Sequence, residues 1–161
     1  NITEKVEFDT NNSERVGSEV TFKVQITESV MRIVESEIEF QRIDNGEPGE
    51  LKGAWLMSAR IKDGEKKLRD TSRPRKTMKI LSGTHFQWIA YNTETKKFMG
   101  TGGGTYTTTN GVYSENIEFF SRDDSKVGLS LKFNYKLINN EWHHNGFSSK
   151  GDAINETWTL R

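Results

Sequence analysis

The chain has no cysteine and only two prolines among its 161 residues. Without cysteine it can form no disulfide framework, thiolate metal site or thiol nucleophile. Hydrophobic residues make up 32% of the chain, below the usual apolar share of about 45–50%. No apolar run approaches the roughly 18 residues that a transmembrane helix needs. With so few apolar residues, we expect strands that each bury one face only.

The N-terminus bears on the expected location. The chain opens with Asn1 rather than Met, and it contains no signal peptide. We therefore expect a processed or trimmed product from which an export signal has been removed. The expected location is secreted or periplasmic, with a lipid anchor at the cell surface as one form of it.

Charge is unevenly distributed, although the net charge is zero. Residues 1–50 carry 12 acidic and 5 basic side chains, whereas residues 51–161 carry 11 acidic and 18 basic ones. So acidic a segment is unusual in a nucleic-acid-binding protein, and no such partner is expected. One interpretation is that the two parts associate, within or between chains, through an attraction screened over about 8–10 Å. The other is that they are independent solvated surfaces.

The chain also repeats part of itself. Residues 3–26 align without a gap on residues 114–137, at a constant offset of 111. The identical positions include the Val-Gly dipeptides at 16–17 and 127–128. A fixed period this long indicates a duplicated domain rather than a short solenoid unit. Since only the second copy is preceded by a front half, we interpret the N-terminal part as a truncated copy.

Strand patterning dominates residues 51–161. The stretch 129–137 alternates strictly between apolar and polar side chains, which is typical of a half-buried strand. Asn110-Gly111 is a strong hairpin signal, and the glycines at 102–104 indicate a bulge or bend inside a strand. We count eight strands and no convincing helix. This favours an all-β fold with an eight-stranded antiparallel up-and-down barrel, which has no sheet edges; a two-sheet sandwich is the alternative.

The N-terminal part adds four further expected strands within residues 2–43. The predicted domains are a truncated half-barrel repeat at 1–45, a linker at 46–50 rich in Gly and Pro, and the barrel at 51–161. A half-barrel exposes an apolar face and two edges, so something must cover it.

Both ends of the predicted barrel resemble a known family. Gly53-Ala54-Trp55 resembles the Gly-x-Trp opening of a lipocalin first strand, and the closing residues 158–161 are similar to a lipocalin last strand. This resemblance implies that Arg161 stacks over Trp55 and closes the base of the barrel beside Gly53. More closely, the chain resembles small bacterial secreted lipocalin-like domains of the calycin type, whose function is unassigned. The resemblance implies a fold and secretion, and it names no ligand.

The alternation predicts which side chains face the barrel interior. Carboxylates in such a place are costly unless they are paired or hydrogen-bonded. Nine residues are therefore candidates for an aromatic-lined ligand cavity with polar anchors: Trp88, Tyr106, Tyr113, Glu115, Phe133, Tyr135, Trp142, His144 and Glu156. The alternative is that both carboxylates sit at the barrel mouth and bond to Tyr, Arg or backbone groups.

Three functional hypotheses remain. The first is non-enzymatic binding of a small, partly apolar molecule by the secreted barrel. The second is a structural or interaction module without ligand, which forms a homodimer through residues 2–43 unless the native protein has two full barrels. The third is an enzyme that uses Glu115 and Glu156 as an acid/base pair, one with a raised pKa. No cofactor and no metal are expected, because the adjacent His143 and His144 point to opposite faces of a strand.

Overall fold

The computed structural model describes residues 1–44 and 47–161, which form fourteen strands and two short 3₁₀ turns. The N-terminal strands are β1 (Ile2–Lys5), β2 (Glu19–Phe22), β3 (Val24–Ile26), β4 (Val30–Ile33) and β5 (Glu39–Gln41). The others are β6 (Gly53–Lys62), β7 (Glu65–Leu68), β8 (Arg75–Leu81), β9 (His85–Asn92), β10 (Lys97–Thr109), β11 (Val112–Phe120), β12 (Ser130–Ile138), β13 (Glu141–Phe147) and β14 (Ala153–Leu160). The 3₁₀ turns span Ser13–Arg15 and Asp124–Lys126.

Eight strands close into a barrel. The order is β14-β13-β12-β11-β10-β9-β8-β6, all neighbours are antiparallel, and β14 pairs back onto β6. The short β7 continues the sheet from the far end of β6. The predicted all-β fold with an eight-stranded antiparallel up-and-down barrel is therefore confirmed. The domain boundaries stay a prediction, and residues 45 and 46, where the expected repeat ends and the expected linker begins, lie outside the described residues.

The barrel has two different ends. At the end that we call the base, the segment before β6 crosses the opening and buries Leu51 completely. The indole N–H of Trp55 donates to the Leu51 carbonyl over 2.8 Å, and the Tyr106 hydroxyl donates to the Ser82 carbonyl over 2.6 Å. The opposite end, which we call the mouth, is formed where β6 ends and where β8 and β14 begin.

The glycines of β10 allow the strands to bend around the barrel. A side chain at Gly103 would place its Cβ 2.4 Å from the Phe86 carbonyl oxygen, so only glycine fits this close approach. The pairing of β10 with β11 shifts register between Gly103 and Gly104. The predicted bulge is thus confirmed, as is the hairpin turn at Asn110-Gly111, where both residues have positive φ.

The N-terminal part packs on the outer face of the barrel. Phe8 contacts Tyr91 and Phe98, with ring centroids 5.2 and 5.7 Å apart. The Glu7 carboxylate accepts hydrogen bonds from the Tyr91 hydroxyl and the Arg161 guanidinium. A second ion pair joins Glu14 to Lys96 over 3.1 Å, so the acidic segment does associate with the basic one within the chain.

The repeat at an offset of 111 is visible in the backbone. The β1–β2 hairpin pairs Thr3 with Thr21, and the β11–β12 hairpin pairs Ser114 with Lys132, in the same register. Each hairpin contains a 3₁₀ turn followed by a glycine with positive φ, +95° at Gly17 and +88° at Gly128. Each glycine N–H donates over 2.8 Å to the carbonyl at the corresponding strand position. The duplication of a whole domain stays an interpretation of this repeated hairpin.

The N-terminal part is not one four-stranded sheet. It forms a two-stranded sheet, β1-β2, and a three-stranded sheet, β3-β4-β5. Strand structure is interrupted at Lys23, between β2 and β3. In the repeat partner, β12, the strand continues through the equivalent position. The expected half-barrel is therefore present as small extra sheets rather than as a continuous wall.

The two equivalent glycines provide a matched test of how far the barrel folds by itself. Neither glycine Cβ position is obstructed, so Gly128→Ala should cost only the backbone strain of positive φ, about 1–2 kcal/mol of unfolding free energy. All four tryptophans lie after residue 50, so tryptophan fluorescence during urea denaturation reports on the barrel alone. Gly17→Ala should change that transition by less than about 0.5 kcal/mol. An equal loss in both variants would show that the two parts unfold as one unit.

Candidate functional site

A buried ion pair lies in the middle of the barrel. The Lys79 ammonium on β8 and the Glu115 carboxylate on β11 are 2.6 Å apart, and both side chains are more than nine-tenths buried. Burying two charges is favourable only when their geometry is good and other contacts replace water. The ion pair therefore fixes β8 and β11 relative to each other across the interior.

Aromatic rings surround the ammonium group. Five ring centroids lie 5.1–5.9 Å from the Lys79 nitrogen, those of Phe86, Tyr113, Phe133, Trp142 and Trp158. Ring faces attract a cation, and the attraction grows when the cation is desolvated. The aromatic lining thus replaces part of the hydration that Lys79 loses on folding.

The nine residues predicted to line a cavity all point into this interior. Neighbouring rings among them and Phe86 are 4.2–6.4 Å apart at their centroids, which is contact distance. Burial raises the pKa of Tyr106 to about 12 and that of Tyr113 well above its ordinary value. These side chains therefore fill the central part of the barrel by packing on one another. Ligand binding by this set stays a prediction.

His144 and Glu156 lie between the centre and the mouth. Burial and the Lys79 charge lower the pKa of His144, which keeps the imidazole neutral at pH 7. Burial raises the pKa of the Glu156 carboxyl, but contacts with His144, Arg60 and Lys79 hold it below its ordinary value overall. A general acid needs a raised pKa, so this environment does not favour Glu156 in that role.

Two of the three residues implied to close the base lie together there. Trp55 is buried, and a Cβ on Gly53 would come within 3.0 Å of the Leu160 side chain. Arg161 differs from the implied arrangement. Because Leu160 pairs with Trp55 and shares its inward face, the next residue points outward, and its guanidinium lies beside Glu7 and 3.7 Å from the Met78 sulfur. Arg161 therefore holds the N-terminal part on the barrel instead of covering the indole.

The mouth carries four arginines that come from separate parts of the chain. Arg60 pairs with Glu156 over 3.2 Å, and an Arg69 N–H donates to the Met57 sulfur over 2.8 Å. Arg75 bonds to the hydroxyl of Thr77 on the same face of β8. Arg122 lies 5.5 Å from the ring centroid of Trp88 and donates to the Met99 carbonyl. Burial and the charges of the other three arginines lower the pKa of Arg75.

Two depressions open beside these arginines. One of about 610 Å³ is lined by Leu68, Arg69, Asp70, Arg73 and Arg75. The other, of about 580 Å³, is lined by the C-terminal end of β6, the first residues of β14 and the chain between β13 and β14. Its lining includes Arg60, Ile154 and Glu156. Trp88 and Phe120 pack against the core nearby, with ring centroids 5.4 Å apart. The mouth thus combines positive charge with partly buried apolar side chains.

Sequence reasoning missed Lys79. Alternation alone places the apolar Met78 and Ile80 on the inward face of β8 and Lys79 on the outward face. Leu81 pairs directly with Phe86 across the short turn, however, and an inward Phe86 requires Leu81 and Lys79 to point inward too. That turn was the available signal. Among the described residues, no group of three or more His, Asp or Glu side chains is arranged to hold a metal ion, and no helix there is long and apolar enough to cross a membrane.

These features define an eight-stranded up-and-down barrel with a packed, charged centre and an arginine-rich mouth. Residues 50–160 match the model of a family described as Domain of unknown function (DUF4488), and the chain belongs to that family. Among solved structures it is similar to the crystal structure of a lipocalin-like protein from Bacteroides uniformis ATCC 8492. That likeness has 15% sequence identity and a TM-score of 0.48, and it covers 70% of this chain and 100% of the other. No curated protein matches the chain.

The buried ion pair can be tested with a double-mutant cycle. Lys79→Met and Glu115→Gln should each cost about 3–5 kcal/mol of unfolding free energy, because each leaves a buried group without its partner. The double variant should cost clearly less than the sum of the two. Urea denaturation followed by tryptophan fluorescence measures all three.

The repeat supplies a control for this cycle. Glu4 occupies the position of Glu115 in the N-terminal hairpin, but its side chain is half exposed and lies 3.6 Å from Arg15. Glu4→Gln should therefore cost less than about 1 kcal/mol. Strictly additive losses at Lys79 and Glu115 would contradict the direct interaction.

Proposed function

We propose that the barrel binds a small, partly apolar molecule at its mouth and does not transform it chemically. The supporting observation is the pair of depressions at the mouth, of about 610 and 580 Å³. Arg75, which lines the larger one, lies close to Arg122, and Arg122 covers the Trp88 ring at 5.5 Å. Ligand sites are typically concave, mostly apolar and supplied with a few well-placed polar groups. Barrels of eight strands are wide enough to hold one small ligand.

Binding at the mouth fits the packing of the barrel better than binding at its centre. A ligand at the centre would have to displace rings already in contact and separate Lys79 from Glu115. A ligand at the mouth needs only the partly buried side chains that face the depressions. Of the nine predicted residues, Glu156 lines one of the depressions, and we assign Trp88, which lies under Arg122, to the same site. The secreted or periplasmic location remains an expectation.

The carboxylates do not favour the enzyme hypothesis. Glu115 is held by Lys79 at 2.6 Å, and Glu156 is held by Arg60 at 3.2 Å. Each is thus engaged by its own cation, and the pKa of Glu156 lies below its ordinary value. An acid/base pair with one raised pKa does not fit these surroundings.

Nile red, a neutral apolar dye, tests binding at the mouth by its gain in fluorescence. We expect saturable binding to the wild-type protein and roughly tenfold weaker binding to Trp88→Ala, because the ring supplies apolar contact area. Phe119→Ala is the matched control, since Phe119 is an exposed aromatic residue that lines a separate depression of about 490 Å³ with Ile80 and Gln87. If Phe119→Ala lost dye binding while Trp88→Ala bound the dye as tightly as the wild type, the dye site would lie elsewhere and the proposal would be contradicted.

We also propose that residues 2–43 form a homodimer contact. The pairing of β3 with β4 has the same register as the second half of β12 with β13, at the offset of 111. Met31 is equivalent to the buried Trp142. Met31 pairs with Phe40 on β5, as Trp142 pairs with Trp158 on β14. Phe40 is nevertheless half exposed. A second copy of this segment is the occupant we favour, because it supplies the same apolar face.

Analytical ultracentrifugation tests the dimer. Because the segment has an excess of acidic residues, two copies repel each other, and added salt should strengthen the dimer by screening. Phe40→Ser should yield a monomer, whereas Phe147→Ser, which removes another exposed ring, should not. A wild-type protein that stays monomeric at every concentration and salt level would contradict the proposal.

A further inference from the structure

Most of the arginines that converge at the mouth lack a carboxylate partner. Arg60 has Glu156, and Arg73 in the adjacent loop has Asp70 at 3.7 Å. Within the part of the chain that the structure describes, Arg69, Arg75 and Arg122 form no ion pair, although their charges are close enough to act on one another. Three unneutralised guanidinium groups therefore share the mouth.

This arrangement is unfavourable for the protein alone. Like charges that converge repel each other, and the repulsion on the partly buried Arg75 is stronger than it would be in bulk water. Elsewhere in the chain, arginines such as Arg15 and Arg161 have carboxylate partners at the surface. The mouth thus holds three arginines without an ion-pair partner beside two arginines, Arg60 and Arg73, that have one.

The guanidinium groups are held in place by neighbouring side chains and backbone. Arg69 reaches the sulfur of buried Met57, Arg75 donates to the Lys76 carbonyl and to Thr77, and Arg122 donates two hydrogen bonds to the Met99 carbonyl while it lies over Trp88. Groups held in this way lose little additional freedom when they bind a ligand. Their remaining N–H donors suit the planar oxygens of a carboxylate or the oxygens of a phosphate.

We propose that the ligand of the mouth is an amphiphile with one acidic head group, which Arg69 and Arg75 bind while its apolar part lies over Trp88 and Phe120. The depression of about 610 Å³ that contains Arg69 and Arg75 holds the head group. This inference rests on the proposed function, because it names the chemistry of the molecule bound at that same site. A carboxylate and a phosphate share the chemistry that the arginines recognise.

Dansyl-labelled undecanoic acid and its methyl ester separate the two proposals, because esterification removes the head-group charge and leaves the chain and the fluorophore unchanged. The wild-type protein should bind the acid at least about tenfold more tightly than the ester, as expected for a charge-assisted hydrogen-bonded pair. Arg75→Gln and Arg69→Gln should each weaken binding of the acid and leave the affinity for the ester unchanged. Dodecyl phosphate, added as a competitor, shows whether a phosphate head group replaces the carboxylate.

Thermal unfolding of the same variants excludes a merely structural explanation. Arg75→Gln removes one of the converging charges, so its melting temperature should stay equal to that of the wild type or rise while its affinity for the acid falls. Lys136→Gln is the matched control. It also removes one positive charge, but from an exposed position on the outer face of β12, and it should change neither measurement.

The outcomes are distinct. Equal affinity for acid and ester would overturn the acidic ligand and leave the proposed function standing, whereas failure to bind acid, ester and Nile red would overturn both. Sedimentation with phosphatidylglycerol vesicles is the final arm. Protein that binds the vesicles but not the free acid would show that the arginines serve a membrane surface, which would also overturn the proposal.

Discussion

The ion pair between Lys79 and Glu115 determines how the rest of the barrel is organised. Two charges at this depth can be accommodated only by a short mutual contact and by polarisable surroundings. The barrel supplies both, through a separation of 2.6 Å and five aromatic rings around the ammonium group. The large aromatic content of the inward faces therefore serves the packing of this centre first, and it leaves recognition to the parts of the molecule that the rings do not fill.

The two ends of the barrel take different roles because of this packed centre. The base is closed from inside by Leu51 and Trp55 and is held from outside by the contact of Arg161 with Glu7. At the mouth, arginines from the β6, β7–β8 and β11–β12 regions meet. The N-terminal part, which repeats the β11–β12 hairpin in its backbone, packs against the outside of the barrel from Arg161 after β14 to Tyr91 and Phe98, where β9 ends and β10 begins.

Much of the fold followed from alternation, and its failures have a physical reason. The pattern of β12 correctly indicated inward Phe133 and Tyr135 because one face of that strand meets solvent. On β8 the apolar Met78 lies on the outer face of the barrel. It is buried there in an apolar cluster with Phe8, a residue remote in sequence. Alternation cannot distinguish burial in a core from burial under another segment. The arginines of the mouth converge through tertiary structure alone, because Arg60, Arg75 and Arg122 lie on segments that are far apart in the sequence.

Nuclear magnetic resonance of lysine side chains tests the central claim most directly. If Lys79 lies among five rings, its methylene and ammonium protons should be shifted strongly by ring currents and should show nuclear Overhauser contacts to the rings of Tyr113 and Trp142. Its ammonium protons should also exchange slowly with water. If every lysine side chain instead has the narrow, unshifted resonances of a solvated ammonium group, the centre of the barrel is not built around this ion pair.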